Sequence, residues 1–349
     1  MTRAVIDLAA LRRNASLLLS RIGSAGLIAV LKDDAYGHGL LPCAVALDDL
    51  VFAFAVATIE EGAALRTVTR RPILLLGHTP PCAFDCIRLG LTPTVHSPDS
   101  VRETAEDVRL ARQRGLLPPD ARLEVALSAD TGMHRYGFAS GETVALPPEL
   151  CPVQVYSHLS SPTMPRRVQA QKQEFDRFLR LNVHNDCQFT HLCSGSAAFR
   201  YGALGYSAVR AGLFLTGYGE EGEPVLTLSA PVVQTRSLPA GARLGYDLNY
   251  RMERPGTVGI IPVGYGDGLL RALSGAPVTL RGRAGDRPAE IVGRICMDCC
   301  TVLPRDGATV QVGDEVLFYP SAARCARAAG TIPYELLVLL GKRVVREYR

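Results

Sequence analysis

The run AVLKDDAYGHG, Ala29 to Gly39, closes a short apolar stretch (Leu27 to Leu31) on a single lysine, Lys32, and follows it with Tyr36 and a Gly-His-Gly turn. A primary amine condenses with a carbonyl to give an imine, and an α/β barrel gathers its chemistry at the C-terminal ends of its strands. Lys32 therefore stands where a barrel would place a Schiff-base amine; a solvated lysine marking the edge of the core is the plainer alternative. A second reactive group is Cys296, Cys299 and Cys300, in a C-x-x-C-C spacing. No further Cys or His pair follows to complete a tetrahedral zinc site, so no metal is expected. The other cysteines, such as Cys43, Cys82, Cys86, Cys193 and Cys325, lack the framework spacing of a small disulfide-bonded domain, which predicts reduced thiols.

The elements that would carry such a lysine read as an alternation. Candidate strands are Leu27 to Leu31, Val51 to Ala57, Ile73 to Leu76, Thr92 to His96, Leu123 to Leu127, Val153 to Ser157, Phe189 to Cys193 and Val209 to Leu215. Between them lie helical patterns, among them Glu60 to Thr67, Pro98 to Arg114 and Val168 to Leu181. Eight strands alternating with helices predict an α/β fold, a (β/α)8 TIM-type barrel over residues 1–222. A doubly wound sheet would want a Gly-x-Gly-x-x-Gly turn after its first strand, and none is present. After Gly222 the texture turns β-rich (Val225 to Leu238, Thr257 to Val263, Val278 to Arg281, Ala289 to Cys296, Cys300 to Leu303, Val316 to Tyr319), with turn signals such as Ala-Gly-Asp between runs. This predicts a C-terminal all-β domain over 223–349, with a late helix from Tyr334 to Leu340. At 21% charged residues and a net charge of +4 without blocks of one sign, nucleic acid is a poor partner. The first residues lack the unbroken apolar core of a signal peptide, and no run is long enough for a membrane span, which makes the cytoplasm the expected location.

The frame Lys-x-x-Ala-Tyr-Gly-His-Gly at Lys32 to Gly39 resembles the cofactor-lysine motif of the alanine racemases, which bind pyridoxal phosphate (PLP). So do, in order, TGMHRYGF (Thr131 to Phe138), YSHLSSP (Tyr156 to Pro162), HLCSGSAAF (His191 to Phe199), VRAGLFLTGYG (Val209 to Gly219), LGYDLNY (Leu244 to Tyr250), PVGYGDGLLR (Pro262 to Arg271), GRICMD (Gly293 to Asp298) and TIPYELL (Thr331 to Leu337). FAVATIEEG and LLLGHTPP look closest to the serine/alanine racemase domains of vancomycin-resistance proteins.

The resemblance implies a homodimeric PLP enzyme interconverting L- and D-alanine and supplying D-alanine for peptidoglycan, with serine or a broader set of amino acids as an alternative substrate. A decarboxylase of similar architecture would lack the Tyr246 motif, and a non-catalytic PLP carrier would not need the second domain. Lys32 would hold the coenzyme and act as acid or base on one face, and Tyr246, reaching the partner subunit's site, on the other. A hydrogen-bonded line would run from Tyr246 through His158 to Arg210, the last facing the coenzyme's ring nitrogen. Tyr36, Ser196, Gly212, Leu213 and Tyr334 would hold the phosphate. Arg135 and the backbone N–H of Met297 from the partner subunit would meet the substrate carboxylate, and Asp298 would shape the entrance. Two positions depart from the family. Ser128 stands where many members have a carbamylated lysine bracing the arginine, and Gly195 where an asparagine is common.

Overall fold

Parallel strands at Gly26–Val30, Ala53–Val56, Ile73–Leu75, Leu91–Thr92, Thr94–Val95, Leu123–Asp130, Leu150–Tyr156, Phe189–Ser194 and Ala208–Ala211 form one sheet in this computed structural model. The model describes residues 1–183, 187–218, 222–283, 285–319 and 321–349. Gly219 of the VRAGLFLTGYG segment and Ala284 of the Ala-Gly-Asp turn lie outside the described residues. The two ends of the sheet path, Leu91–Thr92 and Thr94–Val95, are halves of the one strand expected over Thr92 to His96. Pro93 divides them because it has no N–H for a ladder, while its carbonyl accepts the Ala126 N–H at 2.9 Å. The path thus closes as an eight-stranded barrel, wound with helices.

Local signals set the helices. Thr58 and Glu61 form a reciprocal capping box ahead of Ile59–Arg66, and Ser97 followed by Pro98 opens Pro98–Gln113. On Pro165–Asn182, Phe175 and Phe178 are fully buried, each contributing about 1.5–3 kcal/mol of apolar burial. Leu8–Ile22 buries Leu11, Asn14, Ala15, Leu18 and Ile22 along one stripe. Asn14 is a polar member of it, made tolerable by donating to the carbonyls of Leu215 (2.9 Å) and Glu223 (2.8 Å).

The second sheet runs Gln234–Leu238, Gly256–Ile261, Cys300–Pro304, Gly285–Val292, Pro277–Gly282, Glu315–Phe318, Leu226–Pro231, Arg3–Ile6, Val345–Tyr348. It is antiparallel except for its last pair. The long run Val225 to Leu238 is two strands, interrupted at Val232 and Val233, and the late helix spans Pro333–Val338. The chain divides into one unit of Met1–Ala9, Tyr36–His38 and Pro224–Arg349, and another of Ala10–Ala35 and Gly39–Glu223. Arg3–Ile6, which a boundary of 1–222 puts with the barrel, instead pairs with Leu226–Pro231 and Val345–Tyr348. A four-residue strand carries no mark of a partner more than two hundred residues away. Among the described residues no helix is long and apolar enough to cross a membrane, and all ten cysteines are free thiols.

Candidate active site

Lys32 follows the strand Gly26–Val30 and opens the helical turn Lys32–Gly37. The turn is left-handed: Asp33, Asp34, Ala35 and Tyr36 have φ of 54 to 55°. Such backbone costs an L-residue about 1–2 kcal/mol each, so the neighbourhood must hold it. Ala35 N–H donates to Leu31 O and Gly39 N–H to Asp34 O, both at 2.8 Å. The Asp34 carboxylate accepts from Leu40 N–H at 2.8 Å. Glu61, whose carboxylate already caps Ile59–Arg66, accepts the Asp33 N–H at 2.6 Å. Gly37 is obligatory, since a Cβ there would lie 2.3 Å from the Leu337 carbonyl oxygen.

Arg210, on the barrel strand paired with that of Lys32, is 5% exposed. Its guanidinium donates to Nδ1 and the carbonyl of His191, to the Ser157 carbonyl at 2.6 Å and to His158 Nδ1 at 3.2 Å. It also lies 4.9 Å from the Tyr156 ring centroid. A guanidinium only donates, so Nδ1 of both histidines accepts and the imidazole proton sits on Nε2. For His191 that proton meets Gln154 Oε1 at 3.2 Å. Burial, reinforced by Arg210, Arg135 and Lys32, pushes His158 down to about 3. Burial and Arg210 hold His191 well below its ordinary range. Burial lowers Arg210 itself to about 10, which leaves it charged at neutral pH.

Gln171 fixes the loop behind His158, donating to the His158 carbonyl at 3.1 Å and to Thr131 Oγ1 at 3.2 Å. Arg135 is exposed on the next loop. Asp130 shapes that loop by accepting the N–H groups of Gly132, Met133 and His134 at 2.9 to 3.1 Å. Ser128 takes no part as a brace on the guanidinium; its hydroxyl donates to the Tyr136 carbonyl at 3.5 Å.

The strand expected over Val209 to Leu215 ends at Ala211. Gly212 and Leu213 start a turn, with Leu215 N–H on Gly212 O (2.8 Å) and Thr216 N–H on Leu213 O (3.1 Å). The N–H groups of Gly212 and Leu213 have no partner within that turn, as at the start of a helix. Ser196 is exposed in the first turn of Gly195–Tyr201. At Gly195 a Cβ would stand 2.6 Å from Phe214 Cβ, so Phe214 occupies the space that an asparagine there would need.

In the other unit, the Tyr36 and Tyr334 rings pack at 5.8 Å between centroids. Tyr246, 65% exposed, begins the turn Tyr246–Leu248 at the tip of the hairpin Arg243–Leu244 with Tyr250–Arg251. That hairpin is anchored by Leu244 and Tyr250 against buried Met252, Val258 and Val292, and Asp247 pairs with Arg294. Met297 is exposed; its carbonyl accepts the Gly266 N–H at 2.8 Å. The carboxylate of Asp298 binds Arg343 at 2.8 Å, which also meets Asp267 at 3.0 Å.

The fold thus brings His158 and Arg210 together, while His191, Gln171 and Glu61 have contacts there that sequence reasoning missed. His191 did leave a signal, a lone histidine inside an apolar strand.

Comparison with known proteins agrees with this architecture. The family model "Alanine racemase, N-terminal domain" matches residues 6–220 and "Alanine racemase, C-terminal domain" matches 225–348. An alanine racemase of Nitratidesulfovibrio vulgaris is 33% identical over 96% of this chain and 95% of its own. A catabolic alanine racemase of Pseudomonas aeruginosa is 34% identical over 99% and 98%. The crystal structure of the biosynthetic alanine racemase from Pseudomonas aeruginosa superposes with a TM-score of 0.85 at 29% identity, covering 100% of this chain and 99% of that one. The Bacillus anthracis alanine racemase with bound L-Ala-P gives 0.85 at 26% identity, covering 100% and 95%. From the barrel lysine to the strand-rich second domain, this chain belongs to the alanine racemase family.

Proposed function

We propose that this chain is a PLP-dependent alanine racemase, working as a homodimer with sites shared between subunits and supplying D-alanine for peptidoglycan in the cytoplasm. The observation that carries the reading is electrostatic: the charged groups acting on half-buried His158 are Arg210, Arg135 and Lys32, all of them cations. A cluster of like charge around a neutral imidazole suits a strongly anionic ligand. The donor set fits PLP: an amine at a barrel strand end, a buried guanidinium, and the first N–H groups of the Gly212–Leu213 turn with the Ser196 hydroxyl for a phosphate, to which the family resemblance adds the hydroxyls of Tyr36 and Tyr334. Bound there, the coenzyme supplies the electron sink that makes an amino-acid α-proton acidic.

The chain's own residues then carry protons and charge. Lys32 Nζ takes or returns a proton on one face. Tyr246, exposed on a pinned hairpin tip and so accessible to a second copy, serves the opposite face through its phenol oxygen. A phenol with an ordinary pKa of about 10 is a weak base at neutral pH; the Nε2–H of neutral His158, oriented by Arg210, is the donor that would stabilise its phenolate. Arg210 would meet the coenzyme ring as a donor only, which favours proton return over draining charge away. Arg135 and the backbone N–H of the partner subunit's Met297 would bind the substrate carboxylate, with Asp298 and Arg343 beside that methionine shaping the approach.

The test reduces holoprotein with borohydride, maps the labelled peptide, and offers L-alanine and L-serine singly while quantifying D-product and carbon dioxide. Label on Lys32 and D-alanine without carbon dioxide are expected. Lys32 unlabelled, or carbon dioxide as the product, overturns the reading.

A further inference from the structure

We propose that Cys82 and Cys86 are a reversible disulfide pair, in which Cys82 meets a hydroperoxide and Cys86 resolves the product. Their sulfurs are 3.4 Å apart. The two residues are one turn apart, with Cys86 N–H on the Cys82 carbonyl at 3.0 Å. That separation places the Cα atoms about 6 Å apart, inside the range of about 4.4–6.8 Å that a disulfide spans.

The two thiols are unequal. Cys82 is half-buried and precedes the helix Ala83–Leu89 with non-helical backbone (φ −160°, ψ 33°), so it can turn toward its partner without unwinding that helix. Cys86 is fully buried. The hydrogen bond from Cys86 holds the Cys82 thiol below its ordinary value, against burial and the nearby acids Asp107, Asp85 and Glu60. The same contact, with burial, drives Cys86 upward. Elsewhere burial simply silences thiols, pushing Cys43 and Cys193 up to about 12.

The chemistry balances in two steps. Cys82 thiolate attacks the hydroperoxide; the O–O bond breaks, the alkoxide leaves and takes up a proton as alcohol, and the sulfur is oxidised to a sulfenic acid. The Cys86 sulfur then attacks it, the S–O bond breaks, and hydroxide departs with the Cys86 proton as water. Two thiols are oxidised to a disulfide, and the hydroperoxide is reduced to alcohol and water.

The folded protein is treated with hydrogen peroxide, alkylated, and mapped without reduction. The expected product is a Cys82–Cys86 bridge, lighter by two hydrogens and reversed by dithiothreitol. Cys86→Ser, whose hydroxyl can still donate to Cys82, accumulates a dimedone-reactive sulfenic acid at Cys82, and Cys82→Ser leaves Cys86 unoxidised. Both cysteines alkylated after peroxide, a bridge confined to Cys296 and Cys299, or no dimedone adduct at Cys82 in Cys86→Ser overturns the proposal.

Discussion

Arg210 donates through Nη2 to Nδ1 of His158 across 3.2 Å, so this histidine is held neutral with its proton on Nε2. Its pKa falls to about 3 in the folded chain, against about 6.5 unfolded. Between those values the unfolded state binds the extra proton, so stability rises with pH and is lost as pH drops below about 6.5, by up to ~1.4 kcal/mol per pH unit per histidine. His191 adds to the same slope. Urea unfolding at pH 7.5, 5.5 and 4.5 should show this fall, and a flatter one in His158→Gln.

Arg210→Lys keeps the charge and loses the fork. One ammonium cannot satisfy His191 Nδ1, the Ser157 carbonyl and His158 Nδ1 in their present positions. Each buried acceptor left unmet costs about 1–3 kcal/mol. The variant should melt lower and racemise at least about tenfold more slowly, because His158 loses its orientation; thermal melts and kcat on L-alanine measure the two effects.

Tyr246 is exposed and contributes little to the core of this chain. Tyr246→Phe should therefore fold with an unchanged melting temperature and still bind coenzyme. Loss of a general acid–base group slows turnover by about 10²–10⁴-fold. Unchanged racemisation would remove Tyr246 from the mechanism.

Gly195→Asn drives a Cβ to 2.6 Å from that of Phe214. Overpacking of this kind costs about 1–3 kcal/mol. The penalty should shrink when Phe214→Gly removes that Cβ, with a coupling of at least about 0.5 kcal/mol in a double-mutant cycle read by urea denaturation.

The barrel strands were legible because parallel strands buried on both faces read as short apolar runs, and Lys32 was legible because it ends one. His158, Arg210 and the bond between them came from motif resemblance; the further hold of Arg210 on His191 and the Ser157 carbonyl came from the fold. What stayed hidden depends on distance along the chain or on backbone. The letters KDDAY do not announce four consecutive residues in the left-handed region, because aspartate enters that conformation singly and a run of it opposes L-chirality. Glu61 reads as a helix cap, and its hold on Asp33 exists only once two barrel strands lie side by side.

The strand Arg3–Ile6 lies between Leu226–Pro231 and Val345–Tyr348. Translation at roughly 10 residues per second separates Arg3 from Val345 by about half a minute. The strand must wait for Leu226–Pro231 before its first edge can pair, and its other edge stays open until Val345–Tyr348 has followed. Clipping Val345–Tyr348 would strip one neighbour from the opening strand, so damage at one extremity would register as fraying at the other.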